Sequence, residues 1–216
     1  EKIFDSDDAR RLSLHRLPKL IFDFIEGATG REIASKENIN SFDNVKLLPR
    51  ALVSVNESGI STSFMGDNFS QPFGIAPMGM CNLSYPNADI LMAKVAKEWN
   101  FPHCIATATS TDLSEVYNVG GDNIWFQLYV LHGSVRALEL VKMAQSIGYK
   151  TLILTVDVPL VARRVRELRN GFNVPFKIGF SQFLDFAKHP FWSLRTLATG
   201  IPKPVLFQNE ENNFNR

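Results

Sequence analysis

The 216-residue chain lacks the marks of several large protein classes. It has two cysteines, Cys81 and Cys104, both in apolar surroundings and neither in a CxxC pair. That excludes a disulfide framework or a cysteine zinc site and makes a reducing, cytoplasm-facing compartment the expectation. Lys and Arg number 23 against 22 Asp and Glu, a net charge of +1, so no excess of one sign is available for nucleic acid. No run of 18 apolar residues occurs, which argues against a spanning helix. The start, Glu1-Lys2-Ile3-Phe4-Asp5, has no apolar signal-peptide core, and the missing initiator Met points to a trimmed or processed terminus. GxGxxG, GxxxxGK(S/T) and HExxH are all absent, which removes the usual marks of dinucleotide, P-loop and zinc-hydrolase sites. Disorder is excluded by 17 phenylalanines and balanced charge.

What is present changes character along the chain. Residues 5–27 carry Leu12, Leu14, Leu17, Leu20, Ile21, Phe24 and Ile25 near helical spacing behind the capping run Asp5-Ser6-Asp7-Asp8, and Pro18 predicts a split into two helices. A polar helix over 30–42 and turns with short strands over 48–72 follow. From 73 onward, short apolar runs alternate with amphipathic helices. Strands are predicted at Phe73–Ala76, Cys104–Thr107, Trp125–Val130 and Thr151–Val156, and helices at 87–99, 112–118 and 134–147. This alternation predicts βα units and a parallel sheet buried on both faces. After 170 the pattern dissolves into Phe- and Pro-containing sequence with no predicted strand, which reads as a functional loop or a disordered segment.

Each predicted strand ends in polar or small residues: Pro77-Met78-Gly79, Ala108-Thr109-Ser110, Gln127 with Tyr129, and Thr155 with Asp157. The last two pairs each share a face by the period of two. Taken singly, these have ordinary readings: Gln127 can satisfy a backbone group, Tyr129 can be a half-buried aromatic, and Asp157 can be a turn residue. Four strands in succession favour one shared site, because α/β ligands sit at the carboxyl ends of strands. Arg163-Arg164-Val165-Arg166-Glu167-Leu168-Arg169 reads either as a solvated helix face or as an anion site. His15, His103, His132 and His189 have no acid or nucleophile partner in sequence and read as structural or surface residues.

Trp125-Phe126-Gln127-Leu128-Tyr129-Val130, Leu154-Thr155-Val156-Asp157-Val158-Pro159 and the trailing Arg163-Arg164 resemble the FMN-dependent 2-hydroxy-acid dehydrogenase/oxidase family. Leu17–Phe24, Glu37-Asn38, Phe42 and Ile75-Ala76-Pro77-Met78-Gly79 carry the same likeness, and His189-Pro190-Phe191-Trp192-Ser193-Leu194 resembles its membrane-associated L-lactate and mandelate dehydrogenases. The resemblance implies an α/β (β/α)8 TIM barrel with FMN at the carboxyl ends of the strands. It implies that Pro77, Met78 and Gly79 present backbone to the flavin, that Ala106 lies near it, and that Gln127 and Thr155 hydrogen-bond its ring. Tyr129 would contact the reacting oxygen of a 2-hydroxy acid, and Arg164 would clamp the acid's carboxylate. Asp157 would stabilise the cationic form of a catalytic histidine. The reaction implied is oxidation of an (S)-2-hydroxy acid to the 2-oxo acid, with electrons passed to a membrane quinone-type acceptor or, alternatively, to oxygen. No metal is implied.

The chain also departs from the family pattern. Phe24 replaces the usual Tyr at a substrate position, which predicts a grip weaker by about 1–2 kcal/mol if that hydroxyl bond is buried. Ala106 replaces a Ser found in many members, and Ala108 replaces a Trp found in some oxidases. No His-Gly-Gly-Arg segment or Gly-rich phosphate loop is present, and 216 residues is short against the roughly 250 of a full barrel. The expectation is therefore the N-terminal helices and about the first four βα units in residues 1–170, followed by a loop or membrane-binding segment in 171–216. The second half of the barrel would lie elsewhere, and the chain alone would be inactive and retain FMN poorly. A non-catalytic half-barrel serving as a binding partner is the alternative of a different class. In 176–205, Lys177, Lys188, Arg195 and Lys203 against Asp185 give +3 among many aromatics, which suits a membrane interface over 177–207 or, alternatively, an apolar lid. Location on the cytoplasmic face of the inner membrane and homo-oligomerisation of the full-length protein complete the expectations.

Overall fold

A computed structural model describes residues 2–54, 59–130, 133–156, 163–172 and 179–206. In chain order the elements are α1 (Ser6–Arg16), α2 (Lys19–Glu26), α3 (Ile33–Asn40), β1 (Thr62–Phe64), β2 (Asp67–Phe69), α4 (Ala88–Glu98) and β3 (His103–Ile105). There follow α5 (Leu113–Gly120), β4 (Ile124–Tyr129), α6 (Gly133–Ile147), β5 (Leu152–Thr155), α7 (Val165–Asn170), α8 (Phe180–Lys188) and α9 (Pro190–Thr199). The chain divides into two compact units, 1–57 with 160–199 and 58–159 with 200–216.

The unit around 58–159 is built on a parallel sheet, β3-β4-β5. Its register pairs Cys104 with Trp125, Ile105 with Phe126, Gln127 with Ile153 and Tyr129 with Thr155. One face meets α4, α5 and α6 through Ala93, Ile105, Val116, Phe126, Leu128 and Leu140, all buried. Burying a side chain the size of Leu or Phe stabilises by about 1.5–3 kcal/mol, so this face holds the unit together. The other face carries Cys104, Trp125 and Ile153, packed against Phe69 of the antiparallel β1–β2 hairpin. The Phe64 and Phe69 rings lie 5.8 and 6.0 Å from that of Trp125. Beside them is an apolar cavity of about 360 Å³ lined by Phe73, Pro102, Cys104 and Trp125 among others. β5 is an edge strand here, with Leu152 and Leu154 exposed.

The strand predicted at 73–76 is reduced to a single parallel bridge, Ile75 to His103. The Ile75 N–H donates to the Pro102 carbonyl at 2.9 Å, and the Cys104 N–H donates to the Ile75 carbonyl at 3.0 Å. Pro72, Pro77 and Pro102 remove donors on both sides of this pairing, and a ladder cannot extend through them.

In the unit around 1–57, Pro18 splits the first helical stretch into α1 and α2 as its lack of an N–H requires. The Asp5 carboxylate caps α1 by accepting from the Asp8 N–H at 2.8 Å. α2 buries Leu20, Ile21, Phe22 and Asp23. The buried Asp23 carboxylate accepts from Lys19 and from Asn170 at the end of α7. Residues after 170, predicted to lack regular structure, include α8 and α9. Phe180, Phe183 and Leu184 of α8, and Phe191, Leu194 and Leu197 of α9, recur at helical spacing and are exposed. The apolar stripe thus builds a helix without building a core. Among the described residues, no helix is long and apolar enough to cross a membrane.

Candidate functional site

β3 pairs with β4 only as far as Ile105. Beyond that point side chains continue the ladder. The Thr107 N–H donates to Gln127 Oε1 at 3.1 Å, and the Thr107 hydroxyl donates to the Gln127 carbonyl at 2.6 Å. The same hydroxyl accepts from the Tyr129 N–H at 3.0 Å. Gln127 Nε2 donates to the Thr155 hydroxyl at 2.8 Å. Gln127 is buried, while Tyr129 and Thr155 are half-buried at the carboxyl ends of β4 and β5. The result is a short row of neutral hydrogen-bonding groups, Thr107–Gln127–Thr155, across three strand ends. Gln127 Nε2 keeps a second N–H, and the Thr155 hydroxyl, an acceptor toward Gln127, keeps its own proton to donate.

Two loops border this row. Pro77 and Met78 are exposed, and Gly79 is half-buried. Met80 adopts a left-handed backbone with φ 56°, and its N–H donates to the Ala108 carbonyl at 3.0 Å. A Cβ on Gly79 would lie 3.0 Å from that of Ala108, so glycine lets the loops come close. Ala106 is buried just before the turn in which the Thr109 N–H donates to its carbonyl.

Behind the loops lies a buried polar cluster. The Asp89 carboxylate, 1% exposed, accepts from the Thr109 and Thr111 hydroxyls at 2.9 and 2.8 Å. Asn82 Nδ2 donates to the Thr111 hydroxyl at 2.9 Å. Burial, followed by the Asp89 charge, pushes the Cys81 thiol up to about 12, and burial pushes Cys104 to about 12, so neither is a thiolate nucleophile near neutrality. Burial also depresses the basicity of His103, opposed by Asp89, and neither ring nitrogen of His103 meets a hydrogen-bond partner. Among the described residues no group of His, Cys, Asp and Glu is placed to hold a metal ion.

The remaining sequence-predicted residues are placed differently. Phe24 and Arg164 belong to the other unit and meet there. The Arg164 guanidinium lies 5.5 Å from the Phe24 ring centroid and donates to the Phe24 carbonyl at 2.8 Å and to the Gly27 carbonyl. It also pairs with Glu167, whose carboxyl is shifted upward by burial against the lowering effect of Arg164. Arg164 is thus engaged with three partners rather than held open for a carboxylate. The Phe24 ring stacks on Phe172 at 4.5 Å. Asp157 lies outside the described residues. Sequence reasoning missed Thr107 as the link between strands and missed Asp89 altogether. The signal available was the alternation Thr107-Ala108-Thr109-Ser110-Thr111, which puts three hydroxyls at a spacing of two.

The profile of the FMN-dependent dehydrogenase family matches residues 14–215. The (S)-mandelate dehydrogenase of Pseudomonas putida is 31% identical over 98% of this chain and 53% of its own length. The 4-hydroxymandelate oxidase of Amycolatopsis orientalis is 34% identical over 78% of the chain and 47% of its own length. A crystal structure of the monotopic membrane protein (S)-mandelate dehydrogenase superposes with a TM-score of 0.91 at 33% identity, covering 96% of this chain and 55% of that one. The chain spans about half the length of the curated relatives it matches.

Proposed function

The chain belongs to the FMN-dependent dehydrogenase family, whose fold is the (β/α)8 barrel, and from that premise we propose that the whole protein oxidises an (S)-2-hydroxy acid to its 2-oxo acid. The observation that carries the reading is the row Thr107–Gln127–Thr155 with Tyr129, at the carboxyl ends of β3, β4 and β5. FMN fits these residues. The row offers uncharged donors and acceptors matched to the polar edge of a neutral ring system, and the missing Cβ of Gly79 lets its loop close on Ala108. When bound, FMN supplies the two-electron acceptor chemistry, and the protein binds and orients.

In this reading Gln127 and Thr155 hold the ring edge, and Pro77, Met78, Gly79 and Ala106 approach it with backbone. Tyr129 hydrogen-bonds the substrate oxygen, and Arg164 receives the substrate carboxylate by exchanging a backbone carbonyl for it. Asp157 holds a histidine from the second half of the barrel as its cation. The segment 177–207 attaches the protein to a membrane surface, supported by the exposed Phe180, Phe183 and Phe191 and by the monotopic relative. Electrons then pass to a quinone-type acceptor at the cytoplasmic face. The 34% identical 4-hydroxymandelate oxidase supports a second reading, in which oxygen takes them.

The test is anaerobic reduction of the purified full-length flavoprotein by (S)-mandelate or L-lactate, followed by mixing with a soluble quinone or with oxygen. Bleaching by either acid and faster reoxidation by quinone are expected. A flavin that neither acid bleaches would overturn the reading. Deleting 177–207 is expected to release the protein into the soluble fraction, and persistence on membranes would refute the assignment of that segment.

A further inference from the structure

The loop carrying Pro77–Gly79 and the loop after β3 carrying Ala106 would both face the flavin, yet they belong to different βα units. Three sets of bonds tie them together. The Met80 N–H donates to the Ala108 carbonyl, and Asn82 Nδ2 donates to the Thr111 hydroxyl at 2.9 Å. The third tie is Asp89, the second residue of α4, whose Oδ2 accepts both the Thr109 and the Thr111 hydroxyls. The Thr111 N–H in turn donates to the Thr109 hydroxyl at 3.0 Å, which folds the second loop into a turn around this one oxygen. Asp89 sits in the first turn of α4 and meets both hydroxyls with one oxygen, so it is a fixed anchor. Thr109 and Asp89 are almost wholly buried, and the bonds are therefore not exchanged with solvent.

From this geometry we infer that Asp89 is a positioning residue for FMN: it sets the backbone of residues 106–111 relative to that of 77–80 and so fixes the two faces that approach the cofactor. The inference rests on the flavin reading above. Asp89 touches neither cofactor nor substrate. Alanine at this position removes the one oxygen that both hydroxyls meet, so both threonine bonds are lost.

The experiment uses the full-length protein with Asp89→Ala and, separately, the double variant Thr109→Val with Thr111→Val. FMN affinity is read by flavin fluorescence titration, the flavin environment by visible circular dichroism, and catalysis as kcat and KM separately. Both variants are expected to bind FMN about tenfold more weakly and to shift the visible dichroism. They should lower kcat while leaving KM for the 2-hydroxy acid nearly unchanged, because Tyr129 and Arg164 are not in the cluster. Thr109→Ser and Thr111→Ser keep the hydroxyls and should restore wild-type affinity and spectrum. If both disruptive variants melt earlier but hold FMN within about twofold of wild type with an unaltered spectrum, Asp89 only supports the fold and the inference fails. Should Asp89→Ala not fold, the threonine pair decides the question. A wild-type protein that binds no FMN would instead sink the flavin reading itself.

Discussion

Thr107 offers the sharpest test of how the strand ends are held. Its side chain is fully buried, and its hydroxyl serves two backbone groups of β4 that lie beyond the last β3–β4 pair. Thr107→Val keeps the shape and removes the hydroxyl. The Gln127 carbonyl and the Tyr129 N–H then lose this partner. An unmet buried backbone group costs about 1–3 kcal/mol, so the pair costs about 2–4 kcal/mol after partial relaxation. Thr107→Ser keeps both bonds and loses only a methyl, at about 1 kcal/mol. Measured as thermal unfolding of the full-length protein, Val should lower the apparent melting temperature by about 2–5 °C and Ser by about 1 °C. The bond from the Thr107 N–H to Gln127 Oε1 survives in both variants, so the loss in Val is assigned to the hydroxyl alone. The reasoning is refuted if Val melts with the wild type, or if Ser is as damaging as Val.

Three further outcomes follow from the same structure. Gly74→Ala places a Cβ 2.4 Å from the Pro102 carbonyl, and because the neighbour is backbone the variant should lose about 2–4 kcal/mol or fail to accumulate, measured by soluble yield and melting temperature. Burial lowers the His103 pKa below its unfolded value, so its neutral form is fully compatible with the fold above about pH 6.5. Stability should fall as pH drops from there toward the folded value, while His103→Phe flattens that part of the melting profile. Phe24→Tyr adds a hydroxyl to a ring already stacked on Phe172 and should lower KM for the 2-hydroxy acid about tenfold with kcat little changed.

Local sequence pattern revealed the elements of this fold whose cause is local. The helix split at Pro18 and the strands at 124–129 and 152–155 follow from the missing N–H of proline and from apolar runs between glycine and polar residues. Phe73–Ala76 misled because its apolar content satisfies a strand while its flanking prolines deny it donors. The stretch 180–199 misled in the opposite direction. Read as a loop or disordered segment, it includes two helices, and Phe180, Phe183, Phe191, Leu194 and Leu197 repeat at helical spacing while staying exposed, so no buried face marked them.

The candidate site was legible where residues on one strand share a face and illegible where distant residues meet. Gln127 with Tyr129 is a period-two pair, and pairing with β5 then brings Thr155 beside it. Asp89 reads in sequence as one more acid in the first turn of an amphipathic helix, a position where acids are favoured for the helix alone. Its two partners lie 20 and 22 residues away, across a helix and a strand. Local sequence cannot separate a solvated first-turn acid from a buried one, because the difference is whether donors arrive from another loop. The alternating threonines at 107, 109 and 111 were the other half of that signal. Read as a strand end they are merely polar. Their two roles diverge only in three dimensions, with Thr107 turned to the β4 backbone and Thr109 and Thr111 turned to Asp89. A run of hydroxyls at a strand's carboxyl end is therefore better read as a demand for acceptors, to be matched against acids opening the neighbouring helices.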